Sequence, residues 1–267
     1  LQKEHVVIKL VSIFALMLVF TILPNGHVYG DEKSIILTTG IGEPLHYKGD
    51  KNGFIEAIIE EAFKRVGVVG IVSRKSSKLS LINANTGADD GLAMRIKGLD
   101  KKYKNLIRVP EVIMCSEFSG YSKTELKPIN NWDDMTDIYV AYVNGWRIFE
   151  NNVINNNRVI KADSADLLFG MLEKDRTEIV LYEKWQGLSL IEKLGIKAIK
   201  VNRLPLEQKK MYVYLHKKHK HLVSGVAKAM RDMKSDGTYQ RIFDQSMAQY
   251  INGANKNYSR HIMDGCH

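Results

Sequence analysis

The sequence predicts an α/β protein on three observations. Short runs rich in β-branched and aromatic residues alternate with segments whose apolar residues recur at helical spacing. The chain has 267 residues, 45% of them hydrophobic, which is enough for one large domain or for two lobes with a core each. The pattern is clearest over residues 211–250, where Met211-Tyr212-Val213-Tyr214-Leu215 reads as a strand and Leu222, Val226, Ala229, Met230 and Met233 mark one helical face. Ser235-Asp236-Gly237-Thr238 stops that helix, and a second short helix follows.

Taken in order, Lys3 and Lys9 precede an apolar run at 10–23, then a Pro24-Asn25-Gly26 break and Val28-Tyr29-Gly30. That order of parts reads as a secretory signal peptide over 1–30, cleaved before Asp31. The run is shorter than the roughly 20 residues of a membrane span, and an uncleaved anchor is the alternative. SIILTT at 34–39 is an apolar strand and 40–51 a loop. In 53–67 the residues Phe54, Ile58, Ile59, Ala62, Phe63 and Val66 form a helical stripe that Gly67 ends. A second strand is expected at 68–73, and a short helix at 79–84 closed by Asn85-Thr86-Gly87.

The third strand covers 88–94 and carries Arg95 at its end. In a doubly wound sheet a guanidinium beyond a strand's carboxyl end faces the ligand cleft. The apolar stretch 105–114, the segment 115–123 and the run Trp132-Asp133-Asp134-Met135 follow, and then a strand at 137–143. Asn144-Gly145-Trp146-Arg147 then turns into a helix at 148–153. A strand, a glycine turn and a helix N-terminus together make a cradle for an anion. Beyond a polar loop come a strand at 158–161, a helix at 164–172 and the strand EIVLYE at 178–183. Lys184-Trp185-Gln186-Gly187 stands at its tip, before a helix at 188–194, a strand at 196–201 and a connector at 205–210.

The net charge of +9 raises nucleic acid or an anionic surface as a partner. Basic residues are densest at 97–104 and 217–220, but acidic residues run among them and no aromatic-interleaved motif occurs, so nucleic acid is not expected. Cys115 and Cys266 are far apart in sequence, so no disulfide framework is encoded; two separate thiols are expected, with a single bridge in an oxidising compartment as the alternative. His216, His219 and His221 lie in a Lys-rich turn with no adjacent carboxylate or cysteine to complete a tetrahedral set, so no metal and no cofactor are expected. No nucleophile triad or phosphate-binding glycine loop stands at motif spacing.

The phrase Lys234-Ser235-Asp236-Gly237-Thr238-Tyr239-Gln240-Arg241-Ile242 closely resembles the C-terminal signature of the type II periplasmic solute-binding proteins, in particular the amino-acid-binding family (bacterial extracellular solute-binding protein family 3). The opening strand, loop, Gly53-Phe54 pair and helix ending Lys64-Arg65-Val66-Gly67 resemble the start of that family's first lobe, 105–114 and 115–123 resemble its approach to the hinge and first crossing strand, and Trp132-Asp133-Asp134-Met135 matches a short helix that opens its second lobe. One departure is Ile55-Glu56, where the family often has an Asp. The resemblance implies an α/β fold of two lobes, each a mixed sheet flanked by helices and joined by two hinge crossings. Lobe one would hold 31–120 and 214–267, and lobe two 121–213.

The implied function is periplasmic capture of a small polar solute, an amino acid or related carboxylate, by a monomer that closes about its hinge and delivers to the membrane permease of an ABC importer. Two alternatives stand beside it: a binding protein feeding a membrane sensor, and a dehydratase-like enzyme on the same fold. In the binding reading, Arg95 presents its fork to the ligand carboxylate, helped by the N–H groups at Gly145 and Trp146. Glu183 replaces the family's strand-end Asp and accepts from the ligand ammonium. Tyr47, Trp146, Tyr182 and Trp185 supply aromatic walls, and Arg147 a second anion contact. The plainer alternative gives Arg95 an ion pair with Asp89, Asp90 or Glu111, and Glu183 one with Lys184. The family's carboxylate-binding Arg usually follows a Thr-containing loop, a place occupied here near Lys101.

Overall fold

The computed structural model describes residues 34–47, 53–124, 129–197, 199–202 and 205–250; the signal segment and Cys266 lie outside them. Lobe one opens with β1 (Ser34–Thr39), α1 (Phe54–Lys64), β2 (Val69–Arg74), α2 (Ser77–Thr86) and β3 (Gly91–Ile96). The expected α1 stripe is the core face: Phe54, Ile58, Ile59, Ala62 and Phe63 are fully buried, with Ile55 beside them. Glu56, the departure noted above, supplies the cap. Its carboxylate accepts from the backbone N–H of Gly53 and of Tyr47 and pairs with the His46 ring at 2.7 Å. Burial alone would raise its pKa, but the bonds from His46, Gly53 and Tyr47 outweigh that and hold it below the usual range. α2 ends on Gly87 at φ +85°, a left-handed conformation that favours glycine.

A four-residue α3 (Leu99–Lys102) leads to β4 (Leu106–Ser122), one unbroken strand of 17 residues where two segments were expected. It is the first crossing. Its early part pairs antiparallel with β9 (Glu207–His216), from Leu106↔His216 to Phe118↔Glu207. Its last part, Phe118 to Tyr121, pairs antiparallel with β7 (Ile179–Glu183). The return strand β9 starts at Glu207, earlier than its aromatic stretch suggests, because Gln208, Lys209 and Lys210 lie in the ladder with β4. The boundaries expected at 120/121 and 213/214 fall inside these two long strands.

Lobe two contains β5 (Val140–Val143), α4 (Arg147–Glu150), β6 (Val159–Ala162), α5 (Ala165–Glu173), β7, α6 (Lys184–Leu194) and the two-residue β8 (Lys200–Val201). The strands form one sheet in the order β2-β1-β3-β9-β4-β7-β5-β6, with β8 on β4. Its outer portions are parallel, and antiparallel β9 and β4 sit between them. A short 3₁₀ turn (Lys217–Leu222), α7 (Val223–Ser235) and α8 (Thr238–Met247) follow β9. α7 and α8 close the lobe-one core with Val226, Met230, Met233, Tyr239 and Phe243. Gly91 has a specific reason to be glycine: a Cβ there would stand 2.1 Å from the Tyr214 carbonyl oxygen.

Three expectations change. α6 begins at Lys184, directly after β7, with no loop at the strand tip. The last strand of lobe two shrinks to Lys200–Val201. Cys115 is disulfide-bonded and not a separate thiol.

Candidate functional site

The lobes face each other across a cavity of about 370 Å³. From lobe one, the loop after β1 contributes Gly40, Gly42 and Glu43, and the end of β2 contributes Arg74. The register Thr39↔Arg74 sets the carboxyl ends of the two parallel strands side by side, which is where ligand sites form in such sheets. From lobe two, Trp146 and Tyr182 form an aromatic wall with ring centroids 4.6 Å apart. Ser164, Ala165 and Asp166 line it from the start of α5, where the Ser164 hydroxyl caps the helix by accepting from Leu167 N–H. Gln186, Ser189, Leu190 and Lys193 line it from α6.

The charge pattern is balanced. Arg74 and Lys193 are cations, Glu43 and Asp166 carboxylates, and among the described residues none of the four has a side-chain hydrogen bond or ion pair. Polar groups left available in a concave, partly aromatic site can each serve a ligand of both charges. One link between the walls is the Gly42 N–H donating to the Gln186 side-chain oxygen at 3.0 Å. Burial holds the Tyr182 phenol above its usual pKa, reinforced by the neighbouring Glu183, so it stays a neutral donor.

Of the residues expected from sequence, Trp146 and Tyr182 line this cavity, and the others are placed elsewhere. Arg95 sits in β3 and turns its guanidinium to the carbonyls of Met94 and Ser77, at 3.4 and 3.5 Å. Burial lowers its pKa to about 10. The carboxylates offered as its alternative partners are engaged by others: Asp89 by Lys75, Asp90 by Lys218 and His219, and Glu111 by Lys234. Glu183 is 2% exposed and faces its own helix, its Oε2 accepting from the Gln186 backbone N–H at 3.0 Å and from the Gln186 side-chain amide at 3.2 Å. Lys184 pairs instead with buried Glu117, at 2.7 Å.

At the turn expected to cradle an anion, the backbone N–H groups have partners within the chain. The Gly145 N–H donates to Glu150 Oε1 at 3.1 Å, and the Trp146 N–H to the Val143 carbonyl. Arg147 is exposed on the one-turn α4. Trp185 is fully buried in the lobe-one core, edge-on to Phe243 at 5.8 Å, so it is packing and not a cleft wall. Tyr47 stands behind the site, its hydroxyl 3.3 Å from that of Tyr250, which in turn donates to cavity-lining Ser189. Sequence reading missed Arg74, Glu43, Asp166 and Lys193. The strand-end rule applied to Arg95 points equally to Arg74 at the end of β2, whereas nothing local marks the other three.

No family model matches the chain. A protein of Shewanella oneidensis, described as uncharacterized, is 25% identical over 182 residues, covering 66% of this chain and 67% of its own. Among solved structures, an amino acid ABC transporter substrate-binding protein from Streptococcus pneumoniae, bound to L-arginine, superposes with a TM-score of 0.65 at 16% identity, over 83% of this chain and 97% of that one. A histidine kinase sensor domain with similarity to periplasmic binding proteins superposes at 0.65 and 9% identity, over 80% and 96%. These likenesses show the fold: it is the two-lobe α/β fold of the amino-acid-binding periplasmic proteins.

Proposed function

We propose that this chain is a periplasmic solute-binding protein of the amino-acid-binding kind, which captures a small zwitterion between its lobes by hinge closure and passes it to an ABC importer. The observation that carries this reading is the cavity itself. Its lining supports a reading in which Arg74 would meet the ligand's carboxylate, Glu43 or Asp166 its ammonium, and the Trp146–Tyr182 pair its apolar part. Contacts from both lobes exist together only when the cleft is shut, so the ligand selects the closed state by its differential affinity. The reading shifts the anion anchor from Arg95 to Arg74. It also favours binding over catalysis, since Glu183, the residue an enzyme would use as general acid or base, is turned into the start of α6.

The test is a thermal-shift screen of amino acids, small carboxylates and amines, because a ligand bound only by the folded state raises the melting temperature. An amino acid is expected to register. Arg74→Ala should then weaken its affinity on the order of 10- to 100-fold, the worth of a charge-assisted bond, while Arg95→Ala leaves it near wild type. A site that answers only to a non-ionic solute, or an affinity indifferent to Arg74, refutes the reading. The likeness to a histidine kinase sensor domain supports a second output, presentation of the closed form to a membrane sensor. Capture by a sensor kinase but not by a permease, with ligand present, would select it.

A further inference from the structure

Two lysine-rich stretches, at 97–104 and 217–220, are far apart in sequence and have no part in the cavity. The fold brings them to one end of lobe one. β4 starts beside the end of β9, in the register Leu106↔His216, and the Lys217 N–H donates to the Asn105 carbonyl at 2.7 Å. Lys104 precedes that carbonyl, and α3 with Lys101 and Lys102 lies just upstream, its Leu99 and Tyr103 packed against the cluster containing Leu106 and Tyr214. Seven lysines of these stretches are exposed.

Little opposes their charge. Asp90 is taken up by Lys218, His219 and the Ile36 N–H, which leaves Asp100 as the one acidic side chain within the two stretches. Lys97, Lys101, Lys104, Lys217 and Lys220 make no ion pair among the described residues. A field of this kind attracts a large anionic partner. The chemistry of the patch narrows which one. Protein–protein hot spots are built from buried aromatic and arginine anchors in shaped pockets. Of the arginines flanking these stretches, Arg108 is stacked on Tyr212 at 4.6 Å and Arg95 is turned to the Met94 and Ser77 carbonyls, and Tyr103 is packed against the cluster beneath. What remains is a set of mobile, strongly hydrated point charges, which suits a diffuse anionic plane better than a fixed arrangement of carboxylates.

We propose that this basic end of lobe one binds the anionic surface of a phospholipid bilayer. The inference is independent of the ligand reading, since it uses no cavity residue. Its test is co-sedimentation of the full chain with vesicles of phosphatidylcholine alone and with a third phosphatidylglycerol, at low salt and at about 0.5 M salt, where screening shortens to a few ångström. The uncharged vesicles report whatever the apolar N-terminal run contributes. Binding is expected on the anionic vesicles, with loss at high salt and at least a tenfold loss in K101E/K104E/K217E/K220E. A control with the same charge change, K64E/K78E/K174E/K197E, should retain most of it. Thermal melts confirm that both variants are folded. Equal loss in the two variants, binding to the patch variant, or no preference of the wild type for anionic vesicles would each overturn the proposal.

Discussion

Glu183, at the junction of β7 and α6, offers the sharpest quantitative test of buried charge in this fold. The carboxyl is buried beneath the start of α6, and burial pushes its pKa from 4.5 up to about 7, although the N–H groups of Gln186 and Trp185 partly offset the rise. Because the folded value lies above the unfolded one, the folded state binds more protons between the two, and stability falls as pH rises from about 4.5 through 7. The difference corresponds to about 3 kcal/mol at most. Glu183→Gln keeps an oxygen to accept from the Gln186 N–H but has no charge to bury. The variant should therefore be more stable than wild type at pH 8 by roughly 1–3 kcal/mol, and the gap should close toward pH 4.5. Urea unfolding at pH 5, 6, 7 and 8 measures it. His216 works in the opposite direction: burial and the adjacent lysines hold it below its ordinary value, so it adds stability as pH rises toward 6.5. That contribution is common to both proteins and cancels in the difference. A gap that stays constant with pH, or a wild type more stable than the variant at pH 8, would refute the burial argument.

Two further outcomes follow from the packing and the surface. Trp185→Ala removes a fully buried side chain that belongs to the lobe-one core although its helix leaves lobe two, and should cost about 3–5 kcal/mol in chemical denaturation; a loss below about 1 kcal/mol would show that the indole is not packed there. Asp236 is held down to about 2 by its bond from Arg65 and by the Thr238 N–H, so its contribution is present above about pH 4 and is lost as pH falls toward 2. In Arg65→Ala, a carboxyl titration by NMR should find Asp236 moved up toward its ordinary 3.8, and an unmoved titration would assign the depression to the turn alone.

Much of the fold is legible in the sequence because local and tertiary demands agree there. The α1 and α7 stripes are the faces that meet the sheet, and the Asp236-Gly237-Thr238 stop is a turn tied by Arg65 to the end of α1. The hinge strands are less legible. Gln208 and Lys209 fall in the expected connector at 205–210, but Gln208 and Lys184 both donate to Glu117 of β4, and that pairing lets polar residues continue a strand. Site residues fail for a different reason: sequence places a side chain at a strand end but does not aim it. Arg95 and Arg74 both end strands of lobe one, yet Arg95 runs to Ser77 while Arg74 meets the cavity. Glu183 ends β7 as expected. With no loop before α6, however, its carboxylate falls on that helix's own N-terminus. Gly145 makes the expected turn, and Glu150, five residues on, fills it.

The position of α6 bears on how the proposed closure would work. Its strand, β7, belongs to lobe two, but the helix is fastened to lobe one at three levels: Trp185 in the core, Gln186 on the Gly42 N–H, and Ser189 on the Tyr250 hydroxyl. At its base Gly187 lies against Tyr121, so closely that a Cβ would stand 2.3 Å from the phenol oxygen, and that phenol donates to the Lys184 carbonyl at 2.8 Å. The helix is thus pinned to the crossing strand β4 as well as to lobe one. Leu190 and Ile191 of the same helix pack against the lobe-two cluster, so α6 bridges the lobes; withdrawing its indole from lobe one would cost several kcal/mol, against about 1 kcal/mol for a polar contact such as that of Gln186 with Gly42. In the proposed closure Gln186, Ser189 and Lys193 would form one wall with Arg74, and Trp146, Tyr182 and the start of α5 with Asp166 would be the surfaces that move against it. The side of the cavity holding Arg74 and Lys193 would meet a carboxylate first, and the aromatic pair would complete the site on closing.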